Sequence, residues 1–284
     1  MGFGRREQWA ALSFDIVQLA QSELKLKIIR NYAAEYSKIL SKQPKLKHLY
    51  IDGFAGPGVH LSKVTSEFVA GSPLNALRIE PPFSEYHFID ADEDRTAQLK
   101  SLAGNRPNVY AYFGDCNIIL PRDVFPRTRY DRYSRALCLL DPYNIDLSWE
   151  VVRQAGQMKT VEMFLNFMIM DANMNVLRQD PDSADSKQIE RMNRFWGNNT
   201  WRDVAYGRSG NLFGYEEKNS NDELAQAYRE RLRRVGGFKH VPEPVPMKTK
   251  NGSTIYYLYF ASQNDTGLKI VNHIFDSYRK GTLG

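Results

Sequence analysis

Tyr50-Ile51-Asp52-Gly53-Phe54-Ala55-Gly56-Pro57-Gly58 is a short apolar run that ends in an acid and opens into three closely spaced glycines. Gly53, Gly56 and Gly58 can take positive φ, or let a ligand approach the main chain where a Cβ would clash. Alone, such a loop is a weak sign of nucleotide-cofactor binding. Working outward, the pattern repeats. Tyr86 to Asp90 is a second apolar run ending in an acid, Val109 to Phe113 leads into Gly114-Asp115, and Ala136 to Asp141 leads into Pro142-Tyr143. Four predicted strands in succession deliver acids to one sheet edge.

Between these runs the spacing is helical. Apolar residues recur every three or four positions from Phe14 to Leu40, which predicts an amphipathic helix against the sheet. Ser72 reads as the N-cap of a helix with Pro73 at its first position. Asp92, Glu93 and Asp94 suit the positive end of another. Ala136-Leu-Cys-Leu-Leu140 is apolar throughout, as in a central parallel strand covered on both faces. A helix from Ser148 to Met158 and a strand from Val161 to Phe167 follow. Alternation of this kind predicts a doubly wound parallel sheet, with ligands bound beyond the carboxyl ends of its strands. Residues 171–235 read as a helical insertion for substrate recognition, with Trp196, Trp201, the Gly207 to Gly214 loop and a basic helix from Asn221 to Arg234. Asn251-Gly252 favours a tight hairpin turn near the C-terminus, and Pro242, Pro244 and Pro246 confine its first arm to an edge. A last amphipathic helix runs from Gly267 to Tyr278.

The 284 residues are expected to form one domain, 1–284, carrying that insertion. No apolar run is long enough to span a bilayer and no secretory pattern opens the chain, so a cytoplasmic protein without a membrane partner is expected. Cys116 and Cys138 are expected as reduced thiols. The net charge of +5 is carried partly by Arg127, Arg129, Arg132 and Arg135 and by Arg229, Arg231, Arg233 and Arg234. These are either a surface for a polyanion or solvated faces. The five histidines are scattered without metal-ligand spacing, so no metal is expected. Lys25 reads as an exposed helical lysine, and Trp196 and Trp201 as either packing or stacking residues.

A dinucleotide loop would open directly into a helix and place its next acid about 20 residues on. Here Val59 to Val69 intervenes, and Asp90 stands nearly twice as far away. Strand-Asp-x-Phe-x-Gly-x-Gly with a distant second acid resembles instead the S-adenosylmethionine loop of class I methyltransferases, over Lys47 to Phe167 and the hairpin after it. The resemblance implies a Rossmann-like α/β sheet of that type, with a C-terminal antiparallel hairpin. It implies Asp52 at the cofactor's amino-acid end, Gly53, Phe54, Gly56 and Gly58 in its floor, Asp90 on the ribose hydroxyls, and Asp115 with Cys116 at the adenine. Asp141-Pro142-Tyr143 occupies the catalytic position. In nucleobase amine methyltransferases an acid there orients the acceptor and an aromatic stacks on the base. The implied activity is methyl transfer to a nucleic acid or nucleobase-like acceptor. This chain departs from Asp-Pro-Pro-Tyr by one proline.

The whole chain also resembles the three-Cys-motif partner protein family, through Glu23-Leu24-Lys25-Leu26 with Tyr32, Tyr50 to Gly58, Gly71-Ser72-Pro73 and His87 to Asp90. The resemblance continues through Leu140 to Tyr143, Phe164 to Phe167, Phe195-Trp196-Gly197 with Trp201-Arg202, and Tyr256 to Ser262. It departs at Tyr143-Asn144 and at Asn166-Phe167, which lacks a following proline. That family implies a three-cysteine, radical-type partner protein, and leaves open a methyltransferase-like protein that binds and transfers nothing.

Overall fold

The computed structural model describes residues 3–61, 68–180, 183–206, 219–249 and 251–283, with side chains at 22–58, 70–180, 183–206, 219–249 and 251–283. The Gly207 to Gly214 loop lies outside them. Helix α1, Phe3–Leu40, precedes β1, Lys47–Asp52. The glycine loop leads into a small antiparallel pair, β2 (Val59–Leu61) and β3 (Phe68–Ala70). Next come α2 (Ser72–Leu77), β4 (Glu85–Asp90), α3 (Glu93–Ala103), β5 (Val109–Phe113) and the short α4 (Cys116–Ile119). Three further helical turns between Leu120 and Arg132 lead to β6 (Ser134–Leu140), α5 (Trp149–Met158) and β7 (Val161–Phe167). Helices α6 (Ile169–Asn175), α7 (Ser186–Trp196), α8 (Trp201–Ala205) and α9 (Asn221–Arg234) separate β7 from β8 (Val245–Lys248). The chain closes with β9 (Thr254–Ala261) and α10 (Asp265–Arg279).

The sheet has seven strands in the order β5-β4-β1-β6-β7-β9-β8. The first five are mutually parallel, while β9 runs antiparallel to both β7 and β8. This is the Rossmann-like doubly wound sheet with an antiparallel C-terminal hairpin that the sequence predicts. Strand alternation divides the core into two layers, as a pleat must. Leu49, Ile51, Ala136, Cys138 and Leu140 join α5, α7 and α9 on one face, while Tyr50, Leu137 and Leu139 join α1 and α10 on the other.

The segment between β7 and β8 is built into the first layer. Phe195 of α7 stacks on Tyr228 of α9 at 5.0 Å, and Phe167 of β7 lies 4.9 Å from Phe195. Trp196 and Trp201 are buried, with indole N–H groups donating to Thr200 and Asn193. They pack the core and offer no stacking platform. At the α5–α9 seam, a Cβ on Gly156 would come within 1.9 Å of the Gly236 carbonyl oxygen, so only glycine allows that approach.

Two local details differ from the sequence reading. The N-cap of α2 is Gly71, with Ser72 already helical. The first hairpin arm is ordered as a strand only over Val245–Lys248, because prolines remove ladder donors before it. The arginine groups are largely engaged by neighbours. Arg127 pairs with Glu85, Arg129 with Asp131, and Arg229 with Glu243. Arg233 and Arg234 pair with Glu230, and Arg231 lies over the Trp149 ring at 4.7 Å. The basic helix therefore presents less free charge than its composition suggests.

Candidate functional site

A cleft of about 910 Å³ opens at the carboxyl ends of β1, β4, β5 and β6. Its position follows from topology, since β1 marks where the strand order reverses. The loop after β1 is threaded between its neighbours: Gly53 N–H donates to Leu139 O and Ala55 N–H to Ile89 O, both at 2.9 Å. Gly53, Phe54 and Gly56 line the cleft with Asp90, Asp115, Cys116, Asp141, Pro142 and Tyr143. The geometry thus brings together nine of the eleven residues expected at the site.

Asp52 and Gly58 stand behind the wall. Asp52 is fully buried; its Oδ1 accepts the Phe54 N–H at 3.2 Å, while Oδ2 has no hydrogen-bond partner. Burial pushes its pKa up to about 7, against the pull of Ser72, the Phe54 amide and Lys25. Gly58 turns the chain at φ +79°, and an added Cβ would meet Leu102 Cδ2 at 2.7 Å. Its glycine requirement comes from conformation and packing. Gly56 also has positive φ, +65°, but nothing lies within 4 Å of where its Cβ would be, leaving room for a ligand against the backbone.

Asp90 steadies the loop. Its Oδ2 accepts the Gly56 N–H at 2.8 Å and its Oδ1 the Asp92 N–H at 2.9 Å. Asp115 caps α4, and both its bonds, from the Asn117 backbone and side-chain N–H groups, fall on Oδ1. Burial pushes the Cys116 thiol well up, so it is a neutral wall group at physiological pH. Tyr143 is 79% exposed at the cleft mouth.

Asp141 is already occupied. Lys25 of α1 donates to its Oδ2, and Asn166 of β7 donates through Nδ2 to its Oδ1. Lys25 is thus a buried site residue, with its ammonium 5.5 Å from the Tyr256 ring, and not the exposed helical lysine expected. Burial works to lower its pKa, but Asp141, Tyr256 and Asp52 together outweigh it, and the net shift is upward. The Asn166 Oδ1 and the Tyr256 hydroxyl are buried without partners. Beyond Asp141 the loop is clamped from α6 and α7. Ile145 N–H donates to Asp171 Oδ2, and Arg191 bridges Asp171 and Asp146. Arg194 and Arg95 line the same cleft.

Among the described residues, no cluster of His, Cys, Asp and Glu gathers to hold a metal, and no helix is long and apolar enough to cross a membrane. No protein-family model matches the chain, and no curated protein matches it in sequence. Several solved structures are similar at low sequence identity. A protein from Legionella pneumophila shares 10% identity over 89% of this chain and 92% of its own, with a TM-score of 0.44. A protein described as an S-adenosylmethionine-dependent methyltransferase, from Listeria monocytogenes, shares 16% identity over 82% of this chain and 98% of its own, at 0.40. A protein from Thermobifida fusca, described as a methyltransferase, shares 14% over 83% and 80%, at 0.39.

Proposed function

We propose that this chain binds S-adenosylmethionine in the cleft and transfers its methyl group to a nucleic acid or nucleobase-like acceptor. One observation carries the reading: the Gly53–Gly56 loop, Asp90, Asp115 and Asp141-Pro142-Tyr143 line a single cleft where the sheet order reverses. Its volume falls within the roughly 300–1,000 Å³ typical of small-molecule sites. The open space over Gly56 leaves room for a ligand lying against that loop.

When bound, the cofactor supplies an electrophilic methyl group on a sulfonium. Asp90 accepts hydrogen bonds from vicinal hydroxyls, Asp115 accepts from an exocyclic amine through its second oxygen, and Asp52 sets the charge behind the loop. Asp141 orients the acceptor while Tyr143 stacks on it, a contact worth about 1–3 kcal/mol for a base. Much of the acceleration in such a transfer is alignment of two reactants. Arg95 and Arg194, which line the cleft, would meet the phosphates of a nucleic-acid acceptor, and residues 171–235 would contribute to acceptor recognition through Arg194.

A second reading is favoured by one feature. Lys25 and Asn166 each hold one oxygen of Asp141, leaving neither carboxylate oxygen unengaged for an incoming amine. In that reading the protein docks a three-cysteine, radical-type partner and transfers nothing.

Calorimetric titration of S-adenosylhomocysteine into wild type and Asp90→Asn tests the first reading. Micromolar binding that weakens at least about tenfold in the variant supports it, because Asn cannot accept from both backbone amides. No binding to the wild type overturns it. A labelled-methyl assay on DNA, RNA and tRNA, with a pull-down of the three-cysteine partner, then separates transfer from docking.

A further inference from the structure

The two edges of the sheet are built differently. At one edge, β8 is protected: Pro246 lies within it, Pro242 and Pro244 precede it, and Lys248 ends it. These are standard devices against further strand pairing. At the other edge, β5 reads Val109-Tyr110-Ala111-Tyr112-Phe113, with no charge, proline or bulge. Among the described residues its only strand partner is β4. None of its five residues is buried, and Phe113 is 56% exposed. An apolar edge of this kind is a template for another strand.

The order of residues indicates which strand. Read in either direction from Ala111, β5 has a tyrosine and then a large apolar residue. In an antiparallel pair of two copies related by a twofold axis at Ala111, Ala111 meets its counterpart, Tyr110 meets Tyr112, and Val109 meets Phe113. A small residue sits at the axis, and aromatic and β-branched residues pair across it, which are favourable cross-strand combinations. The faces agree as well. Tyr110 and Tyr112 share one face, where Tyr110 stacks on His87 at 4.9 Å and Tyr112 Oη lies 3.0 Å from His87 Nδ1. Val109 and Ala111 pack on the other, against the Phe88 and Leu99 layer. A twofold axis normal to the sheet keeps each face continuous through the seam, as an isologous contact requires.

We propose that β5 pairs antiparallel with β5 of a second copy, joining two seven-stranded sheets into one. Since Gly114 and Asp115 lead from β5 straight into the cleft, antiparallel pairing opens the two clefts at opposite edges of the joined sheet.

Analytical ultracentrifugation of the full chain over roughly 1–100 µM tests this, because self-association must follow mass action. The expected result is a concentration-dependent dimer for the wild type. Phe113→Glu, at an exposed position, should give a monomer whose thermal midpoint equals that of the wild type at the low concentrations where the wild type is also monomeric. Val109→Lys should weaken the dimer too. Combining Val109→Lys with Phe113→Glu should restore it, because the introduced ammonium of one copy then faces the introduced carboxylate of the other across the seam. A wild type that stays monomeric throughout the range overturns the proposal. So does a Phe113→Glu variant as dimeric as the wild type, or a double variant with no recovery, which would refute the register.

Discussion

Removing one member of the Lys25–Asp141 pair should have unequal effects depending on which charge remains. The lysine side chain is 8% exposed and the aspartate 27%. Asp141→Asn leaves an ammonium in the tighter environment, facing an amide and the Tyr256 ring. Breaking a buried pair in this sense costs about 3–5 kcal/mol. Lys25→Met keeps the packing of the stem and leaves a carboxylate still bonded to Asn166 and partly open to cleft water. Solvent screening reduces that cost to about 1–2 kcal/mol. The double variant carries neither charge, and should be no worse than Lys25→Met. The coupling energy is then at least about 3 kcal/mol. Urea titrations of the four proteins at neutral pH would measure it, and thermal midpoints should move by about 2–4 °C per kcal/mol for a chain of this size. The raised Lys25 pKa means its contribution is complete below about 10.5 and is lost only as pH rises through the folded value, so neutral pH samples the intact pair. Equal costs for the two single variants, or a double variant equal to their sum, would refute the pairing.

Asp52 and Glu162 are both raised to about 7 by burial, so each favours folding most fully below its unfolded pKa and loses that contribution as pH rises through 7. The loss is up to about 4 kcal/mol for each group; Asp52→Asn should flatten the urea midpoint between about pH 4 and 7, and an unchanged slope would count against it. Gly156→Ala should cost at least about 3 kcal/mol, because the obstructing Gly236 carbonyl is backbone and cannot swing aside, and a thermal midpoint within a degree of wild type would contradict that. At the loop, Gly58→Ala should destabilise more than Gly56→Ala, since both need positive φ and only Gly58 also meets Leu102; differential scanning calorimetry on the pair decides the order.

The parallel core was legible because its strands are short apolar runs, each ending at an acid or glycine that the backbone uses. Asp115 and Asp92 cap the helices that follow, and Asp90 holds the glycine loop through the Gly56 amide. Such local roles leave local patterns. Lys25 left only its spacing, three, four and seven residues before the buried Ile28, Ile29 and Tyr32, while the partner that explains a charge on that face lies 116 residues away. Asp52 and Gly58 carried the expected loop signature, yet the pleat turns one inward and a packing contact uses the other. The Glu230 pairs with Arg233 and Arg234 follow from three- and four-residue spacing on one helix, but Arg127 and Arg229 were not readable as paired, because Glu85 and Glu243 meet them only through the tertiary fold. Composition records how many charges exist and does not say how many the fold leaves open to a partner.

Lys25 and Tyr32 lie two turns apart on one side of α1. The first reaches Asp141 just beyond the end of β6, and the second donates to Glu162 near the start of β7. Each residue added to or removed from a helix turns everything beyond it by about 100°. The seven-residue interval is therefore frozen in length: a single-residue insertion or deletion between these positions would detach one anchor while the other held, whereas paired substitutions within it would leave the helix seated.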